Sequence, residues 1–234
     1  MDLNLKKIAT IDSCYRDRFA VPRQSLLVSK AESIIVFENW IQPELALQGL
    51  SEFSHIWVIF GFHLNKEGRY HAKVHPPRLN GETMGALATR SPHRPNPIGL
   101  SLVQISKVNT NNLEILGGDF ANGTPVYDIK PYLPETESQP FANGGWLKKA
   151  QNNLLEIEFE NQTVESILED WAKQINKPFL KDIIIQTLER DPRPLVYKKI
   201  DGNYKDKHAF RLFNGDIHFY IQGNKVVIFQ ILIS

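Results

Sequence analysis

The sequence predicts a mainly β protein, with an N-terminal β-barrel domain over residues 1–161 and a small C-terminal α+β domain over residues 162–234. Three observations predict it. Short apolar runs rich in β-branched and aromatic residues follow one another closely in the first part, and connectors dense in Pro and Gly separate them. After Asn161 the apolar period changes from two to the helical value, and paired turn residues then return.

In chain order, Ser33–Glu38 and His55–Phe62 read as strands, the second apolar enough to be buried on both faces. Met84–Thr89, Ile98–Ile105 and Leu113–Leu116 continue the series. Leu154–Glu160 alternates strictly and places Glu156, Glu158 and Glu160 on one solvent-facing side. The segments His75–Arg78, Pro92–Pro97 and Gly117–Pro134 read as loops because of their Pro and Gly content. Thr163, followed by Ser166, signals a helix that carries Val164, Ile167, Leu168, Trp171 and Ile175 on one face. A second helix spans Leu180–Leu188. Strands are then expected at Leu195–Ile200, His208–Phe213, Ile217–Ile221 and Val226–Ile233, joined at Asp201-Gly202, Asn214-Gly215 and Gly223-Asn224.

Composition narrows the class. With 42% hydrophobic and 23% charged residues the chain can bury a core, which excludes wholesale disorder and fibrous folds. No apolar run reaches the roughly 18 residues of a spanning helix, so no membrane partner and a cytoplasmic location are expected. The one cysteine, Cys14, excludes an internal disulfide and a thiolate-cluster zinc site. His63, His71, His75 and His93 match no helix-based ligand spacing, and no metal is expected. The net charge of +1 hides an uneven distribution. Lys66, Arg69, Lys73, Arg78, Arg90 and Arg94 make one segment basic, residues 133–170 are acidic, and Arg190 to Arg211 is basic again. Such patterning lets a nearly neutral protein offer a positive face to a polyanion, although ordinary solvated surfaces look the same on charge alone.

The chemistry concentrates in Ala88-Thr89-Arg90-Ser91-Pro92-His93-Arg94-Pro95-Asn96-Pro97-Ile98-Gly99-Leu100-Ser101. Three prolines, Pro92, Pro95 and Pro97, fix φ, so Arg90, His93, Arg94 and Asn96 are displayed with little entropy left to lose on binding. Guanidinium forks suit carboxylate or phosphate, which makes the loop a candidate anion clamp. The residues by themselves leave open a rigid connector whose arginines pair with nearby carboxylates. No GxGxxG follows a strand, and Gly117-Gly118-Asp119-Phe120-Ala121-Asn122-Gly123 lacks that spacing, so a dinucleotide fold is not expected. No GxSxG elbow or Cys/His pairing supports a hydrolase.

This segment closely resembles the signature of the TsaA family, also called TrmO. The resemblance extends to Pro22-Arg23-Gln24, Gly61-Phe62-His63, Pro76-Pro77-Arg78-Leu79, Asp128-Ile129-Lys130-Pro131-Tyr132 and Asp191-Pro192-Arg193-Pro194, and so spans nearly the whole chain. It implies a homodimeric β-barrel methyltransferase that uses S-adenosylmethionine to methylate the exocyclic amino nitrogen of an adenosine beside the anticodon of tRNA. In bacterial relatives that base carries a threonylcarbamoyl group and the tRNA accepts threonine. By the same resemblance the cofactor pocket falls on Pro22, Arg23, Gln24, His63, Leu64, Arg90, Leu100, Asp128, Ile129, Lys130 and Pro131. Arg23 and Arg90 are expected to meet the cofactor carboxylate, and Leu64 and Leu100 its adenine. Asp128 and Tyr132 are the candidate catalytic residues, either one able to accept a hydrogen bond from the attacking amine. Lys73, Arg78, His93, Arg94, Arg193, Lys198 and Lys199 are the candidate RNA phosphate ligands. The competing expectation is a non-catalytic tRNA- or nucleoside-binding module on the same barrel.

Overall fold

The computed structural model describes residues 4–65, 70–79, 81–150, 154–193 and 207–234. The chain forms two compact units. One comprises residues 1–12, 33–116 and 123–152; the other comprises residues 13–32, 117–122 and 153–234.

The first unit is a closed barrel. Its strands are β1 (Ala9–Ser13), β2 (Glu32–Phe37), β3 (His55–Gly61), β6 (Ile98–Val108), β7 (Asn112–Leu116) and β8 (Thr124–Pro131), arranged β1-β2-β7-β6-β3-β8 and closed by antiparallel pairing of β1 with β8. Alternation along each stave turns Ala9, Ile11, Ile35, Phe37, Ile56, Val58, Phe60, Val103, Leu113, Ile115 and Val126 into a buried interior. Two glycines make room for large rings. A Cβ on Gly99 would lie 2.2 Å from the Phe60 ring, and one on Gly61 would lie 2.8 Å from the Tyr127 hydroxyl. A two-stranded ribbon of β4 (Lys73–Val74) and β5 (Met84–Gly85) and two one-turn helices, α1 (Pro43–Ala46) and α2 (Pro134–Glu137), decorate the connections.

Two readings of this unit need correction. Stave β8 lies inside the stretch whose Pro and Gly content suggests a loop. Pro125 and Pro131 sit near its ends, where a missing N–H is tolerated, and the intervening residues pair with both β1 and β3. The strand expected over Met84–Thr89 ends at Gly85, and Ala86–Ala88 form a 3₁₀ turn closed by Thr89 N–H donating to the Ala86 carbonyl.

The second unit is a four-stranded sheet with two helices on one face. Strands β10 (Lys207–Leu212), β11 (Gly215–Gln222) and β12 (Lys225–Ile233) form an antiparallel meander, turning at Gly223-Asn224 as expected and at Phe213-Asn214, one residue before the expected Asn214-Gly215, because Gly215 already pairs with Leu212. Strand β9 (Glu156–Phe159), which alternation alone grouped with the first set of strands, pairs in parallel with β12. Its Glu156, Glu158 and Glu160 face solvent, and Glu158 pairs with Lys225. Helix α3 (Gln162–Gln174) is capped by the Asn161 carboxamide, which accepts from the Val164 N–H at 3.1 Å, and not by Thr163. Helix α4 spans Leu180–Leu188 as expected. Between the helices and the sheet lie Leu168, Trp171, Leu180, Ile183, Ile184, Phe210, Phe219, Val226 and Ile228, joined by Tyr15, Ala20, Val28 and Ala31 from the distant segment 13–32. The strand expected at Leu195–Ile200 and the Asp201-Gly202 turn lie outside the described residues. Among the described residues no helix is long and apolar enough to cross a membrane.

Cys14 is packed in this second core, and burial, reinforced by the Glu32 carboxylate, pushes its thiol from the ordinary 9.0 up to about 12. The folded protein therefore holds the neutral thiol where the unfolded chain would ionise, so this group's stabilisation declines as pH rises from about 9 towards 12. At pH 8 a maleimide is expected to leave the native protein unmodified and to label it only after denaturation, read by intact mass. Rapid labelling of the native protein would contradict this placement.

Candidate functional site

The site builds on three adjacent staves. In the β3–β6 register Ile59 faces Leu100 and Trp57 faces Leu102; in the β3–β8 register Ile59 faces Asp128 and Trp57 faces Lys130. Because Ile56, Val58 and Phe60 point into the barrel, the alternate residues lie on its outer surface. Leu100 is 51% exposed there, an apolar side chain left in water with a carboxylate two strands away, roughly 10 Å. A bulge at Tyr127, between the Phe60–Val126 and Ile59–Asp128 pairs, sets the direction of Asp128. Asp128 accepts from the Ile129 N–H at 2.9 Å and pairs with Lys130 at 3.0 Å, an exposed pair that reorganises at little cost. Ile129 is half-buried, Pro131 is exposed, and Tyr132 stands edge-on to His55 and Trp57 with ring centroids 6.5 and 6.1 Å away. Trp57 is held in turn by the Glu137 carboxylate, which accepts from its indole at 3.0 Å.

Two connections converge beyond the end of β3. The Phe62 N–H donates to the Pro97 carbonyl at 2.9 Å and the Asn65 carboxamide donates to the Pro92 carbonyl at 2.9 Å. His63 and Leu64 are thereby brought against the proline-rich loop that displays Arg90. His63 lies beside Thr124, Nδ1 to Oγ1 3.4 Å, at the start of β8. The loop is braced from within: Thr89 Oγ1 donates to the Ala86 carbonyl, the Ser91 N–H to Thr89 Oγ1, and the His93 N–H to Ser91 Oγ. The Trp146 indole donates to the Ala88 carbonyl at 2.8 Å. Arg90 itself is exposed.

Other predicted residues are held differently. Arg94 donates to the Thr89 carbonyl at 2.7 Å, so its fork braces the loop. Arg193 grips the Asp191 carboxylate with both Nε and Nη2, at 2.9 and 3.2 Å, and fixes the turn after α4. Arg23, in the second unit, donates to the Asp191 and Arg193 carbonyls; partial withdrawal from water lowers its pKa, which the Asp191 charge opposes. Half-buried Pro22 and Gln24 flank it, and the Gln24 carboxamide donates to the Arg23 carbonyl. Lys73 is exposed on β4, half-buried Arg78 lies on a 3₁₀ turn, and the ring of His93 meets that of His71 edge-on at 5.3 Å. His75 donates from Nδ1 to the Gly81 carbonyl. His63 and His75 thus take separate partners while His71 and His93 meet each other, and among the described residues no three His, Cys, Asp or Glu gather as metal ligands do. Lys198 and Lys199 lie outside the described residues.

The sequence reading missed Trp57, Ile59 and Leu102, the apolar neighbours of Leu100. Their signal was the strand His55–Phe62 itself, but only the register shows which alternate residues reach the outer face beside Asp128.

The donor set fits S-adenosylmethionine: an exposed apolar row for an adenine, a carboxylate near it for a cationic group, and a guanidinium on a stiff loop for a carboxylate. Comparison with known proteins agrees. Residues 10–138 match the tRNA-methyltransferase O N-terminal domain and residues 152–233 the TrmO C-terminal domain. A Pseudomonas aeruginosa relative whose name carries the words S-adenosylmethionine-dependent methyltransferase is 34% identical over 221 residues, covering 94% of this chain and 93% of that protein. The Escherichia coli tRNA (adenine(37)-N6)-methyltransferase is 39% identical over 199 residues, 83% of each chain. The crystal structure of TrmO from Pseudomonas aeruginosa superposes with a TM-score of 0.80 at 28% identity, covering 100% of this chain and 98% of that one. Shared across both halves, in sequence and in fold, these likenesses show that the chain belongs to the TrmO family.

Proposed function

We propose that this chain is the S-adenosylmethionine-dependent methyltransferase that modifies N6 of adenosine 37, beside the anticodon of tRNA. The observation that carries the reading is the match of both halves to the two TrmO domains, supported by relatives named for that reaction. The competing reading, a non-catalytic binding module, has no comparable support.

S-adenosylmethionine, when bound, supplies an electrophilic methyl group on a sulfonium. The chain's residues do the rest. Arg90 holds a carboxylate through its planar fork, on a loop whose prolines and internal hydrogen bonds leave little motion to be lost. Leu64 and Leu100 offer apolar walls, and Leu100 is extended by Ile59. Asp128 accepts a hydrogen bond from the amine that is methylated and then takes up its proton; Tyr132, four residues further along the same extended backbone and against His55 and Trp57, is the alternative acceptor. His63 orders the loop next to Thr124, and Ile129, Lys130 and Pro131 shape the floor. Arg23 donates to the Asp191 and Arg193 carbonyls within the second unit and holds that turn. Lys73, Arg78 and His93 contact RNA phosphates, whereas Arg94 and Arg193 hold loops. The base carries a threonylcarbamoyl group on a threonine tRNA, and the protein acts as a cytoplasmic homodimer, as the resemblance implies.

Incubation with methyl-labelled cofactor and tRNA from cells lacking the modification is expected to place label on adenosine 37, and tRNA binding without label would establish the module. In calorimetry Arg90→Ala is expected to weaken cofactor binding by about 1.5–3 kcal/mol, the range for hydrogen bonds to charged groups. Unchanged affinity would remove Arg90 from the site.

A further inference from the structure

The open face of the second unit's sheet carries a cluster that the barrel chemistry does not use. Helices α3 and α4 cover one face, and the alternate residues turn away from them: Lys207 and Arg211 on β10, His218 and Tyr220 on β11, Val227 and Phe229 on β12. Phe229 is the extra residue of a β-bulge, since Phe219 faces Ile228 while His218 faces Gln230. A bulge re-aims a side chain, and this one sets Phe229 between the other two rings. Its centroid lies 5.9 Å from that of His218 and 6.0 Å from that of Tyr220. The three rings are part-exposed, and the Lys207 ammonium stands over Phe229 at 4.6 Å.

Charge is sorted across this face. Along the β10 edge stand Lys207 and Arg211, with Arg16 and Asp17 beside it: the Arg16 N–H donates to the Arg211 carbonyl, and the Asp17 carboxylate accepts from the Arg211 N–H at 3.1 Å, so the cations outnumber the acid there. Along the opposite edge strand stand Glu156 and Glu158, the latter paired with Lys225. Asp216 faces Arg211 in the register and lies 3.6 Å from the His218 ring. Ordinary core packing explains the inward aromatics Phe210 and Phe219, but it gives no reason to collect three rings on the outer face with cations along one side.

We propose that this face is a stacking platform for unpaired nucleotides of the tRNA substrate, with bases on Phe229 and Tyr220 and the phosphates running along the Lys207–Arg211 edge. The inference rests on the tRNA reading given above and adds to it a contact in the second unit, through residues other than those assigned to methyl transfer. Aromatic side chains on a sheet read single-stranded RNA because every base has a π face, while side cations neutralise its backbone.

The test titrates a fluorescein-labelled anticodon stem–loop RNA, and a blunt RNA duplex as control, against the full-length protein and its Phe229→Leu variant. Leucine keeps the apolar volume and lacks the ring, and thermal melting by circular dichroism verifies that the variant folds. The expected result is stem–loop binding weakened about 5- to 150-fold, the range for losing one stacked base, with duplex binding unchanged. Tyr220→Phe, which keeps a ring, is expected to retain wild-type affinity. Lys207→Ala is expected to lower the slope of log affinity against log salt by about 0.7, the value for one phosphate on a single strand. Wild-type stem–loop affinity in Phe229→Leu overturns the proposal. So does a change confined to the oligomeric state in sedimentation, which would make the face a protein contact. Methyl transfer by the wild-type enzyme is read separately: if tRNA is methylated while Phe229→Leu binds normally, only this inference fails; if no methyl is transferred, the catalytic reading fails whatever the stem–loop titration gives.

Discussion

Replacing Trp171 by alanine is expected to lower the unfolding free energy by about 3–5 kcal/mol, the largest stability loss any single position here should show. Trp171 is completely buried among α3, α4 and the sheet, and its indole donates to the Asn214 carboxamide at 2.9 Å. Its ring also lies directly over Gly215, where an added Cβ would come 2.4 Å from the nearest ring carbon. Truncation removes the core contact, leaves a void and breaks the hydrogen bond to the Asn214 carboxamide. Gly215→Ala approaches the same contact from below and should destabilise by forcing the ring out of place. Thermal melts of the two variants check this, and a loss under about 1 kcal/mol in Trp171→Ala would mean that the ring is not the keystone of the second core.

Asp128→Ala is expected to reduce kcat for methyl transfer by about 10²-fold, the low end for a side chain that accepts a proton from the reacting group. The KM for tRNA should change little, because the carboxylate is placed at the amine and not at the phosphates. Asp128→Asn separates the two contributions: it keeps an acceptor oxygen and loses the charge, so an intermediate rate is expected. Single-turnover rates with saturating cofactor are the measurement. If Asp128→Ala retains full kcat, the carboxylate is only the exposed partner of Lys130.

The outline of the fold was legible because burial writes its period into the chain. The strand around Trp57 and the two helices follow directly from their spacing, and Asn214 and Gly223-Asn224 turn where such residues do. Strand β8 was not legible, since two prolines and an aspartate suppress the signal although the prolines sit where the ladder tolerates them. Strand β9 was legible as a strand but not in its partner, because alternation states which face is wet and says nothing about which edge will be joined. The site divides the same way. Arg90 on a proline-stiffened loop could be read as an anion ligand, but Arg94, four residues later, has the same chemistry and instead serves the carbonyls of its own loop. Residue type and spacing do not reveal that Arg94 is held in this way.

Strand β12 lies between β11 and β9, and the core on which that sheet packs draws on the segment 13–32 as well as on α3, α4 and β9 to β12. On the ribosome, then, Tyr15, Val28 and Ala31 emerge long before the strands that will shelter them, and must wait while most of the polypeptide is translated. Pairings so far apart in sequence are slow to form and leave greasy segments available to chaperones in the meantime. The biogenesis of this protein should therefore be more sensitive to elongation speed and folding helpers than its modest size suggests.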